Sequence, residues 1–188
     1  MLLRGGSSKG LYFKASDLPA DGVLRNRVLL AAMCGVGPED KRQIDGLGGA
    51  DPLTSKVAVI GRSTRVGADL DYEFVQVVVG GSATDGTQNC GNILAGVVPF
   101  AIESGLLRAR DGETSARVYM TNSESICEVV VQTPGGRPLT AQANLNSSQR
   151  PLSGTLGRQT TSSNLGMGDV TLAQYQQQMI ILKDDTQQ

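Results

Sequence analysis

The stretch ILAGVVPFAI, Ile93 to Ile102, constrains this chain more than any other part of it. It is apolar nearly all round, so as a helix it has no face to give to water, and other elements must enclose it on several sides. Pro99 falls inside the stretch. A proline there has no N–H for the carbonyl of Ala95, so the helix must kink or break. Gly91, Ala95 and Gly96 keep its cross-section narrow, which lets strands come close to its backbone. The enclosing elements are legible as short apolar or β-branched runs at Gly10 to Phe13, Lys56 to Ile60, Tyr72 to Val79, Arg117 to Met120 and Ile126 to Gln132. The prediction is an α+β lobe in which a curved, mostly antiparallel sheet surrounds a central apolar helix.

A second helix is expected at Leu24 to Cys34, where apolar residues recur three and four apart behind a capping Asp21. After TPGG, Thr133 to Gly136, the text changes. From Arg137 to Asp169 it is rich in Ser, Thr, Asn, Gln and Gly without a sustained period, and TLAQYQQQMIIL, Thr171 to Leu182, reads as a short terminal helix with a weak apolar face. The expected organisation is a lobe over residues 1–136 followed by an irregular polar tail over 137–188. A formal charge of −1 and a pI near 5.4 oppose a nucleic-acid or anionic-membrane surface built from bulk positive charge. The opening MLLRGGSSKG lacks the apolar core of a secretion signal, and no segment reaches the ~18 apolar residues of a membrane span. The chain therefore reads as cytoplasmic.

The chain has no histidine. Cys-His and Ser-His-Asp catalysis, HExxH metal sites and imidazole proton shuttles are excluded together. Its three cysteines, Cys34, Cys90 and Cys127, form no CxxC pair and suggest neither a disulfide framework nor a zinc knuckle. Acid–base work falls to Lys, Cys, Asp, Glu or Tyr.

Three motifs offer such groups. In QNCGN, Cys90 sits where the apolar helix begins, and the N–H groups and dipole at a helix head favour a thiolate and bind carboxylates. Asn89 and Asn92 flank it with amide donors, and Gly91 adds an unobstructed backbone N–H. The plain alternative is a buried structural thiol, the commonest fate of a free cysteine. In PLTSKVAVI, Lys56 follows the glycine-rich GLGGAD and opens a strand. A lysine held beside a desolvated pocket serves as a base or polarises a carboxylate, and the alternative is a solvated strand-end lysine. RGGSSKG, Arg4 to Gly10, lacks the spacing of a phosphate loop. Its flexible glycines, the hydroxyls of Ser7 and Ser8 and the cations Arg4 and Lys9 suit a loop that contacts a carboxylate, or an ordinary hairpin entry to the first strand.

RGGSSKG, QIDGLGGADPLTSKVAV, DYEFVQV and NCGNILAGVVPFAIESGL, in that order from about Leu3 to about Gly136, resemble the PrpF family of isomerases, and most nearly its members acting on 4-oxalomesaconate. The resemblance implies one lobe of the diaminopimelate epimerase-like fold. It also implies that the lysine of TSK and the cysteine of NCGN, here Lys56 and Cys90, act on opposite sides of a small tricarboxylate, with no metal, pyridoxal phosphate or nucleotide. Carboxylate binding falls to Arg4, Ser8, Asn89, Gly91 and Asn92. The pattern fades after TPGG, where a second lobe would be expected.

Two functions follow from this reading. One is a cofactor-independent isomerase or tautomerase that moves a proton in an unsaturated tricarboxylate during aromatic-acid breakdown. The other is an inactive single lobe that binds polycarboxylates or self-associates. Both imply a small-molecule partner and a possible homo-oligomer, without nucleic acid or membrane.

Overall fold

The computed structural model describes residues 1–35, 37, 39–138 and 182–184. Strands β1 (Leu2–Gly5) and β2 (Ser8–Lys14) form a hairpin, and helix α1 (Gly22–Cys34) carries the chain to β3 (Lys56–Arg62) and β4 (Leu70–Val77). A two-residue β5 (Thr84–Asp85) precedes helices α2 (Gly91–Leu94) and α3 (Val97–Glu103). Strands β6 (Gly112–Met120), β7 (Ser125–Thr133) and β8 (Leu182–Asp184) complete one sheet, ordered β1-β2-β3-β4-β6-β7-β8 with β5 against β4. The pairings β2/β3 and β4/β6 are parallel and the others antiparallel, so the sheet is mixed, though mostly antiparallel.

Each parallel pair needs a crossover, supplied by α1 in the first case and by α2 and α3 in the second. Such crossovers are almost always right-handed. Because β4 and β6 run opposite to β2 and β3 while the sheet order advances the same way, that hand puts the two helical connections on opposite faces. The two cores agree. Leu11, Val57, Val59, Val75 and Val77 meet Leu29, Leu30, Met33 and Cys34 of α1 on one face. Tyr12, Ala58, Ile60, Leu70, Tyr72, Phe74, Val118, Val129 and Val131 meet α2 and α3 on the other, concave face. Residues one apart along a strand thus serve different cores, as a period of two requires.

The apolar run behaves as predicted. Its helix breaks at Ala95–Gly96, and Pro99 becomes the third residue of α3, in the first turn, where an N–H would have no intrahelical partner anyway. A Cβ on Gly96 would lie 2.5 Å from the Tyr12 hydroxyl, so glycine admits the phenol. Tyr12 is buried, and its hydroxyl donates to the Ile93 carbonyl at 2.7 Å, adding to the bond that this carbonyl takes from the Gly96 N–H at the break. Burial raises its pKa far above the usual phenol range, with the nearby Cys90 adding to the effect, so it stays a donor. Tyr12→Phe leaves that carbonyl with the Gly96 N–H alone, at 3.0 Å. The expected loss is about 0.5–1.5 kcal/mol in chemical denaturation, the net worth of one hydrogen bond; an unchanged midpoint would mean water replaces the phenol.

Asn122, in the turn after β6, does a strand's work. β6 pairs with β4 only at Leu70, Asp71 and Tyr72, and β5 takes over at Gln76 and Val77. In the interval the Asn122 side chain accepts from the Phe74 N–H at 2.8 Å and donates to the Phe74 carbonyl at 2.8 Å.

The strands expected from sequence are present with longer bounds at β2, β3, β6 and β7, while β4 starts and ends two residues earlier than Tyr72 to Val79. β1 and β5 were not expected, being too short to show a period. The tail expected over 137–188, with its loop and most of its terminal helix, lies outside the described residues except for 137, 138 and 182–184. Leu182, expected at that helix's end, instead opens β8. Among the described residues no helix is long and apolar enough to cross a membrane.

Candidate active site

The site is built where β2 and β3 begin, β4 ends and α2 starts. Gly10, Lys56, Gln76 and Asp85 are register partners in adjacent strands and form one row across the sheet, so their side-chain positions share a face. That face is the concave one, since Lys56 is in phase with Ala58 and Ile60, and Gln76 with Phe74 and Tyr72. Lys56 is half-buried; its Nζ donates to Gln76 Oε1 at 2.7 Å and lies 5.2 Å from the centre of the Phe74 ring. Asp85 is half-buried, and its carboxyl is held below the usual range by hydrogen bonds from the Thr87 hydroxyl and N–H.

Cys90 is the N-cap of α2, with extended backbone, and its carbonyl accepts from Ile93 N at 3.1 Å and Leu94 N at 2.9 Å. The helix therefore starts where the sequence indicated. Cys90 is half-exposed, whereas Cys34 and Cys127 are buried. Its Sγ lies 3.9 Å from Ser8 Oγ, a buried hydroxyl on β2. Tyr72 fixes the cap from below, donating to the Cys90 carbonyl at 3.4 Å; burial raises its pKa, with Tyr12 and Cys90 adding to the effect.

The β1/β2 hairpin closes over this helix head. Gly6, at φ 52°, makes the turn, and a Cβ on it would come 2.6 Å from Asn92 Oδ1. A Cβ on Gly5 would overlap the Asn92 carbonyl oxygen outright. Asn92 Nδ2 donates to Ser7 Oγ at 3.1 Å and Ser8 Oγ at 3.3 Å. Ser8, Cys90, Gly91 and Asn92 are thereby brought together, on the same face and at the same end of β2 and β3 as Lys56. Asn89 adjoins them, but its amide donates to Ser123 Oγ at 2.6 Å, which ties the loop before α2 to the β6/β7 turn. Arg4 stands apart. Leu3 packs on the concave core and Gly5 meets α2, so alternation puts Arg4 on the other face of β1, opposite Lys9, where its Nε donates to the Gly6 carbonyl at 3.3 Å.

Gln76, Tyr12 and Tyr72 were not read from the sequence as site residues. Gln76 left one signal: in LDYEFVQV it is a polar residue in the phase of Leu70, Tyr72 and Phe74, which are all buried. Among the described residues no group of three or more His, Cys, Asp or Glu side chains is arranged to hold a metal ion.

The PrpF protein family model matches residues 1–147. The chain belongs to the PrpF family. Similar PrpF relatives include the (4E)-oxalomesaconate Delta-isomerase of Novosphingobium sp. (strain KA1), 55% identical over 136 residues, covering 72% of this chain and 37% of the relative. The 4-oxalomesaconate tautomerase of Pseudomonas putida is 56% identical over 137 residues, covering 73% of this chain and 37% of the relative. The crystal structure of a methylitaconate-delta-isomerase superposes with a TM-score of 0.70 at 40% identity, covering 80% of this chain and 38% of that one. The architecture is thus one lobe of the epimerase-like fold of PrpF proteins, and the chain spans well under half the length of the relatives it matches.

Proposed function

We propose that this PrpF chain is an isomerase that moves a proton in a small unsaturated tricarboxylate of the 4-oxalomesaconate type. The observation that carries the reading is the meeting, on one rim of the concave face, of an anchored lysine and a half-exposed thiol at a helix head. Lys56, as the neutral amine, takes a proton from the carbon between the carbonyl or alkene and a carboxylate. The C–H pair moves into the conjugated system and gives a dienolate, and Cys90 delivers a proton to its far end. The result is a shifted double bond with no net gain of protons or electrons, so no cofactor enters the step. Ser8, Asn92 and the N–H groups of Gly91 and Asn92 would bind carboxylates and spread the dienolate charge. Asn89 supports the loop, and Arg4 would act only from the hairpin's other side. The cytoplasmic setting and the link to aromatic-acid breakdown belong to the same proposal.

The test is conversion of 4-oxalomesaconate between its tautomers in D2O, followed by proton NMR. Enzyme-dependent conversion with deuterium entering the shifted carbon is expected, and its absence at high protein concentration removes the activity. A second reading has its own observation: Ile44, Leu47 and Leu53, on the loop leading to Lys56, are 64%, 55% and 47% exposed. A lobe of this kind binds polycarboxylates without turning them over, or self-associates through that loop. Absence of conversion, together with protection of Cys90 from iodoacetamide by a tricarboxylate or a dimer in sedimentation, distinguishes it from the enzyme.

A further inference from the structure

We propose that Gln76 is the positioning residue of Lys56: a neutral acceptor, locked by backbone carbonyls, that aims the amine without holding its proton. The inference rests on the reading of Lys56 as the base. Gln76 stands directly opposite Lys56 in the antiparallel register, and its Oε1 accepts from Nζ at 2.7 Å. Its Nε2 lies 3.1 Å from the Pro52 carbonyl, 2.9 Å from that of Ser55 and 3.2 Å from that of Val77. Turning the amide over would press its oxygen against three carbonyl oxygens and its NH2 against the lysine N–H groups. The acceptor end is therefore fixed toward Lys56 by chemistry.

The frame behind it is rigid. Ser55, next to the lysine, is fully buried, and its Oγ donates to Gln43 Oε1 at 2.8 Å. Gln43 is itself buried and accepts from the Ala50 N–H at 2.8 Å. A buried amide network of this kind fixes the backbone from residue 43 to residue 55, and through it the strand start that carries Lys56.

A carboxylate in place of Gln76 would anchor the amine equally well, but it would favour the ammonium over the free base. The Phe74 ring already attracts the ammonium weakly. The other ionisable groups facing this row are few: Asp85 of β5 one strand beyond Gln76, Cys90 at the head of α2, and the buried phenols of Tyr12 and Tyr72. From β2 the row offers Gly10, without charge, and in the preceding loop the Asp51 carboxylate accepts from the Leu53 N–H at 2.8 Å. The amide is thus the local group that decides whether orientation comes with a held proton.

The test is the titration of Lys56 in the full chain, by NMR of 13Cε-labelled lysine assigned with Lys56→Arg, in wild type, Gln76→Glu and Gln76→Leu. In Gln76→Glu the Lys56 titration is expected to rise by about 1–3 pH units, with the acid limb of the pH–rate profile moving the same way and activity returning at high pH. In Gln76→Leu the expected result is a kcat lowered at least tenfold with KM little changed. A Lys56 signal unmoved in Gln76→Glu overturns the contact, and an unchanged kcat in Gln76→Leu overturns its role in positioning. The base role is read separately from Lys56→Ala, so a fully active alanine variant rejects that reading without touching the NMR result.

Discussion

Lys56→Ala is expected to slow tautomerisation of 4-oxalomesaconate by about 10²–10⁴-fold, the usual worth of a positioned acid or base. The amine is half-buried and hydrogen-bonded to a neutral amide, so its loss removes a proton acceptor and leaves one Gln76 lone pair to water; stability should change by about 1 kcal/mol at most. Lys56→Arg sharpens the result. Guanidinium keeps the positive charge and can reach a carboxylate, but it does not deprotonate at usable pH. If lysine is the base, arginine is nearly as slow as alanine. If lysine only attracts a carboxylate, arginine restores most of the rate. Steady-state kinetics of the three proteins, with denaturation midpoints as a folding control, separate these cases, and an alanine variant at wild-type rate would eliminate the proposed base.

Gly5→Ala should be severe for a single methyl group. The added carbon would overlap the Asn92 carbonyl oxygen, and its next neighbours are the Asn92 carbonyl carbon and the Ala95 methyl. Both elements involved are backbone, so no side chain can rotate away. Either the hairpin lifts or α2 retreats, and the expected cost reaches the ~3 kcal/mol upper end of ordinary overpacking. Retreat of α2 also carries Cys90 away from Ser8, so activity should fall further than stability alone explains. The comparison is the folded fraction by circular dichroism against the rate per folded molecule. A variant with normal stability and rate would mean that hairpin and helix are not pressed together as described. Gly61→Ala serves as a control, since a Cβ there meets nothing closer than the Ala15 Cβ at 3.4 Å.

The helix behind Cys90 was legible because a run without a polar face can fold in few ways, and Pro99 announced the break that Gly96 completes. The positions of Lys56 and Cys90 at the mouths of their elements were legible from the glycine- and asparagine-rich stretches before them. Arg4 was not. Which face a strand residue takes depends on register, and a shift of one residue reverses it; nothing within RGGSSKG states that Leu3 and Gly5 turn inward. Gln76 went unrecognised because its role lies in the strand paired beside it, and a local reading of DYEFVQV sees only a strand. The parallel pairings were hidden for the same reason, since strand direction is set by the crossovers and leaves no mark in the alternation. The phenols of Tyr12 and Tyr72 read as core, and their second task, bonding to carbonyls at the helix head, depends on contacts 81 and 18 residues away in sequence.

The Asn122 clamp on Phe74 bears on how this sheet resists ordered aggregation. Between the last β6 pairing and the first β5 pairing, β4 offers an N–H and a carbonyl that no neighbouring strand among the described residues takes up. Such an opening in a sheet is a template for a strand from another molecule, the usual first contact in ordered aggregation. One side-chain amide, with a donor and an acceptor at the spacing of a peptide group, occupies both. The notch beside the Cys90 loop, whose Asn89 is tied to the same β6/β7 turn, is thereby left without a free rung on which a foreign chain could begin.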